Sequence, residues 1–395
     1  MIIQIHGAGF YNYGAWLMLE IVVSELSSRL SDIGPIEFCS LPSPGTTYEI
    51  ASTYKLKTVL PQTWRRNPLK YLTAPTFERL IPNELQRILG IVPRNKVDVV
   101  IDISGYAFGD HWGPDISRIC GRRFRFLHDR GKPIIMLPQM MGPFENEKVR
   151  RETKKLLACT DHVYLRDESS LSAVNEIIDD PAKVSLAPDI TIFSSGEMVE
   201  PRPPFACLIP NERMLDQGVK KWGSRYLQLL TQAGQRLLAL DRDVVLLSHA
   251  PGGGDLAIAQ QLAERLDSQR VEVVTNVTPK RAKGIISKAD LVVGSRFHAL
   301  VAALSSGVPA IAIGWTHKYS HLLSDFGIPG LNFDPNQTND ELLDLIRECV
   351  DNTRNATIRQ TLLQSKKPMA PSNDQMWQDV ASHLQHYRNS DRWQR

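Results

Sequence analysis

The chain has 395 residues and no run of 18 uncharged apolar residues, so no segment reads as a membrane-spanning helix. Its five cysteines (Cys39, Cys120, Cys159, Cys207, Cys349) include no C-x-x-C pair. That excludes a dithiol redox couple and reads as reduced thiols in a reducing compartment. There is no H-E-x-x-H motif among the ten histidines, so no resident metal is expected. Charge of one sign is also missing. Lys and Arg number 46 against 43 Asp and Glu, a net charge of +3, too small to argue for nucleic acid. The opening Met1-Ile2-Ile3-Gln4-Ile5-His6 reads as a strand, with neither the basic region nor the apolar core of a secretory signal. A cytoplasmic chain is expected, with peripheral contact at the inner face of the membrane left open.

What is present is alternation. Strand-like and helix-like runs follow one another almost throughout, which predicts parallel sheets with crossover helices. Strands are expected at Ile2–Ile5, Val97–Ile103, Pro133–Pro138, His162–Leu165 and Val184–Leu186, with a helix at Ala15–Leu30. Residues 195–204, SSGEMVEPRP, have linker composition. The pattern then restarts. Strands are expected at Phe205–Ile209, Val244–Ser248, Val271–Thr275, Leu291–Val293 and Ala310–Ile313, and helices at Tyr226–Leu240, Leu256–Leu266 and Arg281–Ala289. The fold class is α/β, with two Rossmann-like domains at 1–195 and 205–345 and a cleft between them. A helical segment at 346–395 is expected to pack back across both. Residues 42–95 look like an insertion, with seven prolines and the basic-aromatic run Trp64-Arg65-Arg66-Asn67-Pro68-Leu69-Lys70-Tyr71. Long loops often carry function, and an acceptor or a membrane surface suits this one. So does a plain solvated excursion.

Residues 290–325 carry the strongest chemical signal. Arg296 and His298 stand where the strand Leu291–Val293 turns into an apolar helix, and Lys318 follows the next strand. Ligands of open α/β sheets bind outside the carboxyl ends of the strands. A guanidinium, an imidazole and an ammonium there suit an anionic substrate and a proton transfer. A single histidine is usually structural. A strand end and a helix start can bring its pKa into the range of general acid catalysis.

Weaker signals lie at other strand ends. The turn His6-Gly7-Ala8-Gly9-Phe10-Tyr11-Asn12-Tyr13-Gly14 is glycine-rich without the G-x-G-x-x-G spacing of a dinucleotide site, and it can also be only a tight turn. Asp102 can act as a base or cap the turn after it. Gln139 can bond a sugar hydroxyl. Arg166 can bind an anion or pair with Asp167 or Glu168. His249 precedes a Pro251-Gly252-Gly253-Gly254-Asp255 turn that can cradle a ligand or be a plain loop. The basic run from Arg118 to Lys132 reads as phosphate or lipid contact, or as a solvated helix face.

The block Gly294-Ser295-Arg296-Phe297-His298-Ala299, followed by Ser306-Gly307-Val308-Pro309 and Lys318, resembles the core of the polysaccharide pyruvyl transferase family. Gln139-x-x-Gly142-Pro143-Phe144, Leu165-Arg166-Asp167 and Ala187-Pro188-Asp189 resemble further blocks of that family. The first turn differs, since many members have a G-N-x-G-D-like sequence there. The loop Ser104–Asp110 also lacks a run of glycines. The resemblance implies a GT-B-like fold and transfer of a pyruvyl group from phosphoenolpyruvate to a sugar, forming a pyruvate ketal without a cofactor. It implies His298 as the acid/base, and Arg296, Phe297, Arg166 and Lys318 as donor contacts. Gly9, Tyr11, Asn12, Asp102, Gln139 and His249 fall on the acceptor side. The implied partners are phosphoenolpyruvate and a sugar, glycolipid or oligosaccharide acceptor.

Two other functions compete. A nucleotide-sugar glycosyltransferase would share the scaffold. Such enzymes commonly hold the donor ribose with a glutamate on the helix before an S-G-x-P turn. Here that helix, Ala299–Leu304, carries no acid. A non-catalytic sugar-binding subunit would keep the scaffold and have no need of His298.

Overall fold

The computed structural model describes residues 1–42, 48–59, 81–215, 222–250, 253–314 and 318–390. The chain divides into two compact units. The first holds residues 1–10, 18–190 and 371–395; the second holds 11–17 and 191–370.

In the first unit the strands run β1 (Ile2–His6), β2 (Glu37–Ser40), β3 (Lys57–Val59), β4 (Ile91–Val92), β5 (Val99–Asp102), β6 (Ile134–Gln139), β7 (His162–Leu165) and β8 (Val184–Leu186). They form a parallel sheet in the order β4-β3-β2-β1-β5-β6-β7-β8. The strand order reverses between β1 and β5, and the register sets His6 beside Asp102 there. Strands β5 and β6 are wholly buried, as expected for parallel strands covered on both faces. The helices are α1 (Tyr13–Arg29), which continues into this unit, α2 (Tyr48–Thr53), α3 (Asn83–Ile88), α4 (Pro114–His128), α5 (Glu147–Leu157) and α6 (Glu168–Asn175).

In the second unit the strands are β9 (Phe205–Ile209), β10 (Asp243–Leu247), β11 (Val271–Val274), β12 (Leu291–Gly294), β13 (Ala310–Ile313) and β14 (Asn332–Phe333). Their order is β11-β10-β9-β12-β13-β14, again parallel. The helices are α7 (Gly223–Ala239), α8 (Asp255–Leu266), α9 (Pro279–Ile286), α10 (Phe297–Ser305), α11 (Lys318–Asp325), α12 (Asn339–Val350) and α13 (Asn352–Lys366). Here the order reverses between β9 and β12, with Gly294 in register with Ile209. Helix α10 is apolar because it is covered: every residue from Ala299 to Ser305 is buried. It ends at Gly307, whose φ of 75° favours glycine.

Two expectations change. Residues 42–95 are not wholly an insertion, because they supply β3 and β4 to the first sheet, along with helices α2 and α3. The run from Trp64 to Tyr71 lies outside the described residues. The C-terminal segment is not one body either. Helices α12 and α13 belong to the second unit, while the last helix, α14 (Ala370–Asn389), falls almost wholly in the first. In that unit Ser372 donates to the Leu186 carbonyl at 3.2 Å.

Candidate functional site

In the second unit, β12 delivers Ser295 and Arg296 to the point where the strand order reverses. That is where ligands of open α/β sheets bind. The turn is fixed from below. The Ser295 carbonyl accepts from Asn211 Nδ2 (2.9 Å) and Tyr319 Oη (2.7 Å), and its hydroxyl bonds Tyr226 Oη at 2.8 Å. All four residues are buried. The next side chain therefore leaves the sheet in a set direction.

Arg296 meets a carboxylate at once. Its Nε and Nη2 donate to Oδ2 and Oδ1 of Asp255, at 2.7 and 2.5 Å. Asp255 opens α8 and is fully buried, while Arg296 retains 14% side-chain exposure. Glu212 donates its backbone N–H to Asp255 (2.9 Å), and its side chain accepts from Gly254 N at 2.6 Å. A bidentate pair of this kind orients a guanidinium more strictly than a single contact. It also offsets part of the guanidinium's charge.

His298 lies in the first turn of α10, half-buried. Its ring meets the first turn of α1. A Cβ at Gly14 would stand 2.2 Å from His298 Nδ1, so only glycine leaves room for this imidazole. That turn is held within the same unit. Tyr13 donates its backbone N–H to the His249 carbonyl (3.2 Å), its hydroxyl accepts from Val277 N (3.1 Å), and its ring meets His249 edge-on. Asn12 caps α1, its side chain accepting from Gly14 N at 2.9 Å. His249 is buried, and its pKa is pushed down to about 3 by burial and then by the charges of Arg296 and His298. It is a neutral imidazole at physiological pH. Phe297 packs against His298 and Tyr319, and the Lys318 ammonium lies 5.6 Å from the Phe297 ring centroid. The second unit thus gathers Arg296, Phe297, His298, Lys318 and His249. Tyr11, exposed at the head of α1, also belongs to this unit.

The first unit holds the other expected residues, and most are internally bonded. Asp102 is fully buried. It bonds His6 Nδ1 at 2.6 Å and accepts from Ser104 N and from Gln139 Nε2. Gln139 is also fully buried. Asp102 takes the capping role its sequence context offered, at the turn of Ser104, and Gln139 joins it inside the sheet. Burial lowers the pKa of His6, but Cys120 and Asp102 outweigh it and hold the group up at about 10. His6 is a cation paired inside the sheet. Arg166 binds Asp189 and the Gly105 carbonyl rather than Asp167 or Glu168. Asp167 instead caps α6 by accepting from Ser170 N at 2.8 Å. Gly9 is the open one, since a Cβ there would meet nothing within 4 Å.

Among the described residues no group of three His, Cys, Asp or Glu side chains could hold a metal. His317 and His321 are four apart in sequence, a spacing metal ligands use; His317 lies outside the described residues. No described helix is long and apolar enough to cross a membrane.

A family model described as polysaccharide pyruvyl transferase matches residues 12–317. The chain belongs to that family. Its relatives include the amylovoran biosynthesis protein AmsJ of Erwinia amylovora, 21% identical over 280 residues, 64% of this chain and 65% of that protein. The match spans just under two thirds of that relative's length. Solved structures with the same fold include MnaA of S. aureus in complex with UDP, with a TM-score of 0.61 and 12% identity over 98% of this chain and 97% of that one. Anabaena Alr3699/HepE in complex with UDP-glucose has a TM-score of 0.57 and 12% identity over 97% and 100%. At such identities the likeness is one of fold: two parallel α/β domains of GT-B type, with a C-terminal helix. The family match covers the strand-end turn that holds Arg296 and His298.

Proposed function

We propose that this family member transfers the pyruvyl group of phosphoenolpyruvate to a sugar and closes it into a pyruvate ketal. The observation that carries the reading is the strand-end turn of the second unit. There a rigidly oriented Arg296 and a half-buried His298 share one helix start, with Lys318 across the Phe297 ring.

Phosphoenolpyruvate carries a carboxylate and a phosphate. In this reading Arg296 offers its remaining Nη1 to one of them, and Lys318 supplies a mobile point charge. Asp255 prevents the guanidinium from swinging. His298 in its protonated form donates a proton to the methylene carbon C3. The double bond's electrons take that proton, and C2 becomes an oxocarbenium-like electrophile. A sugar hydroxyl adds to C2 and returns its proton to His298. A second hydroxyl then displaces phosphate, which leaves with that hydroxyl's proton. Atoms and charge balance without a change in oxidation state, so the reading requires neither a redox cofactor nor a metal. His249 stays neutral beside this site and adds no competing proton.

The test is incubation of purified protein with phosphoenolpyruvate and a panel of glycosides, read by mass spectrometry. The reading expects a pyruvyl adduct and release of inorganic phosphate only when an acceptor is present. Consumption of a nucleotide-sugar with no adduct would make the chain a glycosyltransferase. No turnover of either donor, with glycoside binding retained, would make it a sugar-binding subunit.

A further inference from the structure

The first unit carries a surface that the proposed reaction does not use. Helix α3 is short, and its one buried residue, Gln86, donates inward to the Ile81 carbonyl at 2.8 Å. The opposite side is apolar and open. Leu85 is 44% exposed, Ile88 74% and Leu89 57%. Residues at i, i+3 and i+4 share a helix face, so these three form one patch. They are three of the eight large exposed hydrophobic residues among those described, all within five positions. Isolated exposed leucines are ordinary; a cluster of this kind marks a contact surface.

The surroundings are cationic. Between residues 83 and 96 the exposed Arg87 and Lys96 stand against one carboxylate, Glu84, while Arg94 is buried. Helix α4 adds Arg123, which shares the lining of a small cavity with Arg94, and the turn after it adds Arg130 beside Asp129. Phe126 joins the two regions, with the Arg94 and Arg130 guanidinium carbons 3.3 and 3.7 Å from its ring centroid. Beside it is a cavity of about 470 Å³ lined by Pro82, Asn83, Arg94, Lys96, Phe126 and Arg130.

We propose that this face docks on an anionic phospholipid bilayer, with Leu85, Ile88 and Leu89 entering the acyl boundary and headgroup phosphates meeting Arg87, Lys96 and Arg130. An apolar ridge ringed by cations matches a bilayer surface, which is apolar within and anionic at its rim. A protein partner covering leucines is the weaker match, because the excess of positive charge would also need an acidic rim.

The experiment is co-sedimentation of the full chain with vesicles of phosphatidylcholine alone, or with roughly a third phosphatidylglycerol. Binding is expected to the anionic vesicles, weakened by high salt. The triple variant Leu85→Ser, Ile88→Ser, Leu89→Ser should bind at least about tenfold more weakly, with an unchanged circular dichroism spectrum. If that variant fails to fold, the exposed pair Arg87→Glu and Lys96→Glu replaces it. Each lost cation should weaken binding about fivefold. Equal binding to neutral and anionic vesicles, or no loss in the variants, would overturn the proposal. So would wild-type self-association that the triple substitution abolishes without vesicle binding, since a second copy would then cover the patch. The outcome is independent of the reaction proposed above.

Discussion

The two units build nearly the same device and use it differently. Each is a parallel sheet whose strand order reverses once, and each puts charged side chains at that reversal. In the first unit the charges cancel internally. His6, Asp102 and Gln139 are buried, with His6 and Gln139 each bonded to Asp102, and Arg166 binds Asp189 and the Gly105 carbonyl. In the second unit only the supporting residues are sealed. Asp255, Ser295 and His249 are buried, while Arg296, His298 and Lys318 retain exposure. A strand-end charge is thus a candidate for chemistry when its partners are buried and it is not. Where everything at the reversal is buried, the charges are there to hold strands together.

Substitutions should separate the two reversals. The largest effect is expected for His298→Ala. Removing a positioned general acid costs about 10²–10⁴-fold in turnover, while the thermal unfolding midpoint should hardly move. Near-normal turnover would make His298 structural and erase the contrast.

Asp102→Asn should do the reverse. Removing one partner of a buried pair costs about 3–5 kcal/mol of stability, readable by chemical denaturation, with donor KM unchanged in the folded protein. Its pH dependence sharpens the point. The His6 pKa is raised to about 10 from an ordinary 6.5. The pair's contribution is complete below pH 6.5 and fades as pH rises toward 10. The variant should lose that slope.

Arg296→Lys keeps the charge and loses the fork held by Asp255. The KM for phosphoenolpyruvate should rise roughly ten- to a hundredfold, the loss of one charge-assisted bond of about 1.5–3 kcal/mol, with acceptor KM unchanged. Arg166→Lys should lower stability instead. A raised donor KM in Arg166→Lys would return Arg166 to the donor role its sequence context suggested.

The smallest effect tests placement alone. Gly14→Ala adds a methyl 2.2 Å from His298 Nδ1, so the imidazole must move. A displacement of this order should cost at least about tenfold in turnover. A shifted His298 ring resonance in NMR should accompany it, with the unfolding midpoint retained. Unchanged turnover and resonance would show that α1 does not position the imidazole.

The alternation of strands and helices was legible because parallel strands buried on both faces are continuous apolar runs. His162–Leu165, Val184–Leu186, Phe205–Ile209 and Ala310–Ile313 fall where the pattern puts them. The strands β2, β3, β4 and β14 went unread. They are short, at two to four residues, and carry too few apolar residues for a periodic signal. The Arg296-x-His298 turn was legible because it is local. Its supports were not. Asp255 lies 41 residues from Arg296, Asp189 lies 23 from Arg166, and Gly14 is in another part of the chain from His298. No local spacing encodes such contacts. The bond between Asp102 and Gln139 went unread for the same reason, since it spans 37 residues, whereas the Asp102 cap on the turn at Ser104 was legible because it is local.

The central claim is that protonation of phosphoenolpyruvate at C3 drives the transfer. It is tested most directly by running the reaction in deuterium oxide and examining the product methyl group by mass spectrometry and NMR. An acid such as His298 exchanges with solvent, so the ketal methyl should carry one deuteron, and His298→Ala should form little of this product. A ketal whose methyl carries no solvent deuterium would contradict the mechanism, and a product without a pyruvyl group would contradict the function itself.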